Sequence, residues 1–150
     1  MDGNLNRELV IIGGGPAGLM AAESALANGA SNVSVYERMG SVARKFLIAG
    51  KGGLNLTHSE PMPQFIQRYL PQTRSIGHWL WEFGPDAVRA WAAGLGVETF
   101  VGSSGRVFPH DLKAAPLLRA WVRRLRENGV RFHVNHEWMG WDESGKLRFS

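Results

Sequence analysis

The stretch Leu9-Val10-Ile11-Ile12-Gly13-Gly14-Gly15-Pro16-Ala17-Gly18 constrains the fold more than any other part of the chain. Four consecutive apolar residues suit a strand buried on both faces of a parallel sheet. The run stops at glycines, and Gly13, Gly15 and Gly18 fall at the spacing G-x-G-x-x-G. In that pattern the first glycine allows a tight turn. The second lets backbone approach a pyrophosphate, and the third packs a helix closely on a strand. Ala17, Leu19, Met20, Ala21, Ala22, Ala25 and Leu26 then read as a helix, which Asn28-Gly29 ends. The N-terminus of such a helix offers free N–H groups and a positive dipole end to phosphates.

Val33-Ser34-Val35-Tyr36 reads as a second strand and runs into Glu37, 19 residues after Gly18. A carboxylate about 20 residues along from the glycines is where the hydroxyls of a ribose are bound. The plainer reading of Glu37 is a solvated residue at a strand end. A carboxylate here disfavours a 2′-phosphate, because two anions repel. The β-α-β pattern therefore indicates a dinucleotide, with FAD or NAD fitting better than NADP.

The 150 residues are enough for one domain with a real core. The chain has no cysteine, which excludes disulfides, a redox dithiol, thiolate metal sites and a cysteine nucleophile. That is compatible with the cytoplasm. No apolar run approaches the ~20 residues of a membrane span, and the polar start, Met1 to Glu8, has no signal-peptide core. The net charge is +4, and Arg119, Arg123, Arg124, Arg126 and Arg131 cluster late. They read as the solvated face of an amphipathic helix rather than a nucleic-acid surface. Trp79, Trp81, Trp91 and Trp121 sit among helical apolar positions and read as core. His133 and His136 lack zinc-ligand spacing, and no metal is expected.

Further along, Val42 to Ile48 reads as a short helix carrying Arg44 and Lys45, followed by a glycine-rich segment to His58. Helical pieces follow over Gln64 to Tyr69, Ser75 to Trp81 and Pro85 to Gly94, so residues 59–96 form a helical insert. Val97 to Val101 and Arg106 to Pro109 read as strands joined by Gly102-Ser103-Ser104-Gly105. His110-Asp111 precedes a strong amphipathic helix from Lys113 to Asn128, then a strand over Val130 to Val134. Trp138 to Trp141 and Lys146 to Phe149 form a hairpin around Glu143-Ser144-Gly145. The expected fold class is α/β, a Rossmann-like three-layer domain with a parallel sheet, a helical insertion and a closing β-meander. Ser150 directly follows an apolar-alternating strand. The chain is therefore expected to be a fragment of a longer protein; the alternative is a small domain finished by the meander.

Taken together, these motifs resemble the N-terminal part of the YhiN/BaiN-like bacterial flavoproteins, NAD(P)/FAD-dependent oxidoreductases. The resemblance rests on Gly13 to Ala22 with Glu37, on Arg44-Lys45-Phe46-Leu47-Ile48-Ala49-Gly50-Lys51-Gly52-Gly53-Leu54-Asn55-Leu56-Thr57-His58, and on Gly105-Arg106-Val107-Phe108-Pro109 with Lys113-Ala114. The second motif is the most specific. The resemblance implies that Gly13, Gly15, Pro16, Ala17 and Gly18 hold the FAD pyrophosphate and Glu37 the adenosine ribose. It implies Arg38 against the adenine and Lys45 against the pyrophosphate or ribityl region. It also implies that Gly52, Gly53, Leu54 and Asn55 pass close to the isoalloxazine ring. Many members carry a Gly-Arg-Cys-Asn-type run in the second motif, where Gly53-Leu54-Asn55 stands here. That departure fits a subgroup and leaves the substrate untransferred.

Read from its residues, the second motif agrees in kind. Gly50, Gly52 and Gly53 permit close backbone approach to a flat ring, and Lys51 or Lys45 places positive charge near a reduced flavin. The alternative is a surface loop whose glycines serve turns. The catalytic residues are unknown; His58, as an acid/base, and Lys51 are the candidates, and a structural role is the competing reading of His58. The leading expectation is an FAD-dependent oxidoreductase, with NAD(P)H as a possible electron donor and a small molecule as substrate. One alternative is an NAD-binding dehydrogenase domain. Another is a flavoprotein-like module that binds RNA or another acidic partner through the arginine helix.

Overall fold

Val33, Ser34 and Val35 are fully buried because β2 (Val33–Glu37) runs through the middle of a three-stranded parallel sheet, in the order β1-β2-β6. On one side lies β1 (Leu9–Ile12), with Leu9 opposite Val33 and Ile12 opposite Tyr36. On the other lies β6 (Arg131–Val134), with Ser34 opposite Arg131. The computed structural model describes residues 8–150, so the polar start over residues 1–7 lies outside the described residues. β1 differs from expectation. As an edge strand it leaves Leu9 and Ile12 43% and 45% exposed, where burial on both faces was expected. Among the described residues no strand pairs with β1 on its far side.

Strand alternation assigns the two faces. Ile11 lies opposite Val35 and so points the same way, and it is the neighbour a Cβ on Gly18 would meet at 3.4 Å. The helix α1 (Pro16–Ala27), with Leu19 and Ala22 buried, therefore packs on the Val33 and Val35 face. Asn28 caps it, and Gly29 follows at φ 87°. On the opposite face, His133 and Phe149 both stack on Tyr36, with centroids 4.4 and 4.2 Å away. Phe149 belongs to a hairpin of β7 (Trp138–Trp141) and β8 (Leu147–Phe149), so helix, sheet and hairpin form three layers. The expected meander is a two-stranded hairpin, because the strand before it, β6, pairs with β2 instead.

Also on the hairpin face, Ser34 Oγ donates to Glu8 Oε1 at 2.6 Å and Arg131 reaches the same oxygen at 2.8 Å. The Ser34 hydroxyl first, then Arg131, hold the Glu8 carboxyl below its ordinary value of 4.5, against partial desolvation. A depressed folded-state value means this contribution is present above pH 4.5 and is lost as pH falls through the lowered value. Thermal unfolding scans across this acid range should therefore show a steeper loss of stability in the native chain than in Glu8→Gln. Identical profiles would remove Glu8 from the acid limb.

The chain folds as two compact units, one made of residues 8–48 and 121–150 and the other of residues 49–120. The second is built on an antiparallel sheet in the order β3-β5-β4: β3 (Thr57–His58), β4 (Thr99–Val101) and β5 (Arg106–Pro109). The helices α3 (Met62–Gln67), α4 (Thr73–Glu82) and α5 (Pro85–Gly94) fall within residues 59–96. The unit extends further on both sides because β3 pairs with β5, Thr57 opposite Val107. Asp111 accepts the Lys113 N–H at 3.0 Å just before α6 (Ala114–Glu127) begins.

Two tryptophans correct the expected core. Trp121 is buried, but Trp79 and Trp81 are each 66% exposed. At 3.6 residues per turn, positions two apart point in nearly opposite directions, so both cannot lie on one helix face. In α4 the inward positions go to Ile76, Gly77 and Leu80. The arginines are also more engaged than a solvated face requires. Arg124 pairs with Glu23, Arg131 with Glu8, and Arg126 lies over the Phe132 ring at 5.5 Å.

Candidate functional site

The carboxyl ends of β1 and β2 meet the start of α1, and the glycine turn between them is shaped residue by residue. Gly13 has φ 103°, which favours glycine, and its N–H donates to the Tyr36 carbonyl at 2.8 Å. A Cβ on Gly18 would stand 1.9 Å from the Gly13 carbonyl oxygen, so helix and turn are in backbone contact there. A Cβ on Gly15 would meet nothing within 4 Å among the described residues. Packing therefore does not demand glycine at position 15, and the space beside it is open. Gly15 is the N-cap of α1, no side chain caps the first turn, and the turn carries no acidic residue. The N–H groups of Ala17 and Gly18 and the dipole's positive end thus face that space.

A cavity of about 260 Å³ opens here, lined by Gly15, Pro16, Glu37, Arg38, Met39, Ser41, Ala43, Arg44 and Lys45. Three cations, Arg38, Arg44 and Lys45, stand against one carboxylate. Such a lining attracts an anion of charge about −2, the charge of a diphosphate diester. A second cavity of about 250 Å³ shares Glu37 and Arg38 and is completed by Ile12, Gly13, Tyr36, His136, Glu137 and Trp138. Its aromatic lining suits a flat base. Arg38 lies 3.7 Å from the exposed Glu137 carboxylate.

Five of the residues expected from sequence, Gly15, Pro16, Glu37, Arg38 and Lys45, thus line one cavity, and Gly13 lines the other. Met39, Ser41, Ala43 and Arg44 were missed. Arg44 was legible as the neighbour of Lys45, whereas Ala43 enters through an unsignalled left-handed backbone, φ 55°. Glu37 does more than expected. Its Oε2 accepts the Gly14 N–H at 2.9 Å and its Oε1 the Met39 N–H at 2.8 Å.

Gly52, Gly53, Leu54, Asn55, Lys51 and His58 lie in the other unit, residues 49–120. Gly50 is corrected there: its missing side chain makes room for Ala114, whose Cβ would be 2.5 Å from a Cβ on Gly50. A Cβ on Gly52 would enter open space, and Gly53 has φ 107°. Leu54 is buried, with its N–H on the Leu112 carbonyl. The Asn55 amide donates to the Thr57 and Val107 carbonyls at 2.8 and 3.1 Å, which fixes the strand entry. Both His58 nitrogens are engaged. Nδ1 accepts the Glu60 N–H at 3.1 Å, which leaves Nε2 to donate to the Ser104 carbonyl at 3.0 Å. A proton-transfer role for His58 would require one of these bonds to break. Nearby, the Arg68 guanidinium, by its hydrogen bond and its charge, holds the Glu60 carboxyl below its ordinary range against partial desolvation.

Residues 7–150 match the family model described as the HI0933-like protein Rossmann domain. The chain is 29% identical over 134 residues to the 3-dehydro-bile acid delta(4,6)-reductase of Clostridium scindens, covering 83% of this chain and 30% of that protein. It therefore spans about a third of the length of that curated relative. Among solved structures, a flavocytochrome c3 fumarate reductase in its open conformation superposes with a TM-score of 0.69, at 17% identity, over 90% of this chain and 28% of the other. The 3-ketosteroid-delta4-(5alpha)-dehydrogenase of Rhodococcus jostii gives 0.60, at 18% identity, over 92% of this chain and 40% of that one. At such identities the likeness is one of fold.

Proposed function

The chain belongs to the HI0933-like Rossmann-domain family, and on that premise we propose that it is the FAD-binding part of a flavin-dependent oxidoreductase. The observation that carries this reading is the first cavity, where an uncapped helix N-terminus and three cations converge beside the open space at Gly15. When bound, FAD supplies the hydride and electron chemistry, and the protein supplies binding and orientation. Ala17 and Gly18 donate backbone N–H groups to the diphosphate, and Arg44 and Lys45 balance its charge. Each Glu37 oxygen retains a lone pair for a ribose hydroxyl after taking its backbone N–H. Arg38 presents a planar guanidinium to the adenine. Gly52, Gly53, Leu54 and Asn55 belong near the isoalloxazine ring, on the family resemblance. NAD(P)H as donor, a small-molecule substrate and a cytoplasmic setting complete the proposal. The engaged arginines of α6 count against an acidic macromolecule as partner.

The test is a visible spectrum of the purified chain after reconstitution, with mass spectrometry of the released ligand and parallel titrations with FAD and NAD. FAD should bind and NAD should bind more weakly. No flavin uptake, or tighter binding of NAD, defeats the proposal. Glu37→Ala should weaken FAD binding by about 1.5–3 kcal/mol, roughly tenfold to a hundredfold, because a charge-assisted hydrogen bond is lost. Unchanged affinity would mean that the ribose is held elsewhere.

A further inference from the structure

The backbone of one residue joins the three segments that line the first cavity. Gly14 N–H donates to Glu37 Oε2 at 2.9 Å, and the Gly14 carbonyl accepts the Ala43 N–H at 2.8 Å. Through its other oxygen Glu37 also holds the Met39 N–H. Position 14 has no room for a side chain. A Cβ would stand 2.7 Å from Val42 Cγ1 and 3.2 Å from Glu37 Cβ. The Gly14 backbone is not left-handed, so space rather than conformation requires glycine. Ala43, by contrast, is buried in a left-handed conformation, a strained state that the surrounding structure must hold. Glu37, Met39 and Ala43 line the cavity themselves, and so do the residues next to these contacts: Gly15 after Gly14, Arg38 after Glu37, and Arg44 and Lys45 after Ala43.

We infer that Gly14 is a positioning residue of the nucleotide site. Its N–H clasps the Glu37 carboxylate on one side and its carbonyl the entry to α2 (Arg44–Ala49) on the other. The ribose acceptor and the two phosphate cations are therefore arranged together before any ligand arrives. Preorganisation of this kind raises affinity by removing the cost of ordering loops on binding. The ligand in this inference rests on the FAD proposal, but the clasp is a property of the chain alone.

The test has two arms. In the first, FAD is titrated by flavin fluorescence into the native chain, Gly14→Ala, Val42→Ala and the double variant, with thermal unfolding alongside. Gly14→Ala should bind FAD at least about tenfold more weakly. The double variant, which removes the Val42 methyl group that the new Cβ meets most closely, should return to within about threefold of Val42→Ala. A Gly14→Ala variant that is folded and unchanged in affinity overturns the inference, and so does a folded double variant with no recovery. The second arm needs no Gly14 variant and no ligand. Amide hydrogen exchange should show the Gly14, Met39 and Ala43 N–H groups protected in the native chain and all three released together in Glu37→Ala. Continued protection of Ala43 while Gly14 exchanges freely overturns the clasp. A native chain that binds no FAD but shows the concerted release keeps the clasp and removes the flavin.

Discussion

Gly18→Ala should destabilise the chain by about 2 kcal/mol or more and abolish FAD binding. The added Cβ would lie 1.9 Å from the Gly13 carbonyl oxygen and 3.1 Å from its carbon. Both are backbone atoms, so no rotamer relieves the overlap, and α1 must move off β1. Overpacking of this severity costs about 3 kcal/mol or more, against a gain of about 1 kcal/mol in helix propensity over glycine. Gly15→Ala is the informative contrast. Its Cβ would meet nothing within 4 Å among the described residues, and φ −77° with ψ 179° suits alanine. That variant should unfold in urea near the native midpoint yet bind FAD poorly, because its methyl group enters the space kept for phosphate. A Gly18→Ala chain as stable as the native one would refute the close helix-on-turn contact.

Trp121→Ala should cost about 3–5 kcal/mol, a large part of an ordinary domain's stability. Trp121 is 2% exposed and is the largest fully buried side chain of the described core. Its indole N–H donates to Glu23, which also pairs with Arg124, so the ring anchors the part of α6 from Trp121 onward to α1 within one unit. Trp121→Phe keeps most of the apolar volume but removes the donor, and should cost about 1–2 kcal/mol. Urea unfolding of the three proteins separates the two contributions. Equal losses for phenylalanine and alanine would assign the effect to the hydrogen bond rather than to packing.

Where a signal is local, the sequence foretells the structure. The turn from β1 to α1 needs a positive φ at Gly13 and no side chain at Gly18, and both demands are written as glycines. β5 appears as expected, over Arg106–Pro109, because Gly102 to Gly105 can only turn. What escapes is set by distant partners. Nothing near Leu9 announces that β1 is an edge strand among the described residues. Nothing near Gly50 announces that Ala114, 64 positions on, occupies its missing side chain's place. That Trp79 and Trp81 cannot share one buried face follows from helical geometry; that neither is buried does not. In the site, the charges were legible and their arrangement was not. The sequence marks Glu37 as a ribose acceptor, while its bonds to Gly14 and Met39 depend on how the loops close.

The pairing of β2 with β6 joins Ser34 to Arg131, which are 97 residues apart. Closing a loop of that length costs about 4 kcal/mol in chain entropy beyond a constant, and collapse of the intervening unit first shortens the effective loop. During synthesis, β1, α1 and β2 leave the ribosome long before β6 exists. Until residue 134 has emerged, one edge of the central strand is bare, with Val33 and Val35 beside it. Nascent chains halted in that interval are the form most exposed to self-association, and the form on which a chaperone would act.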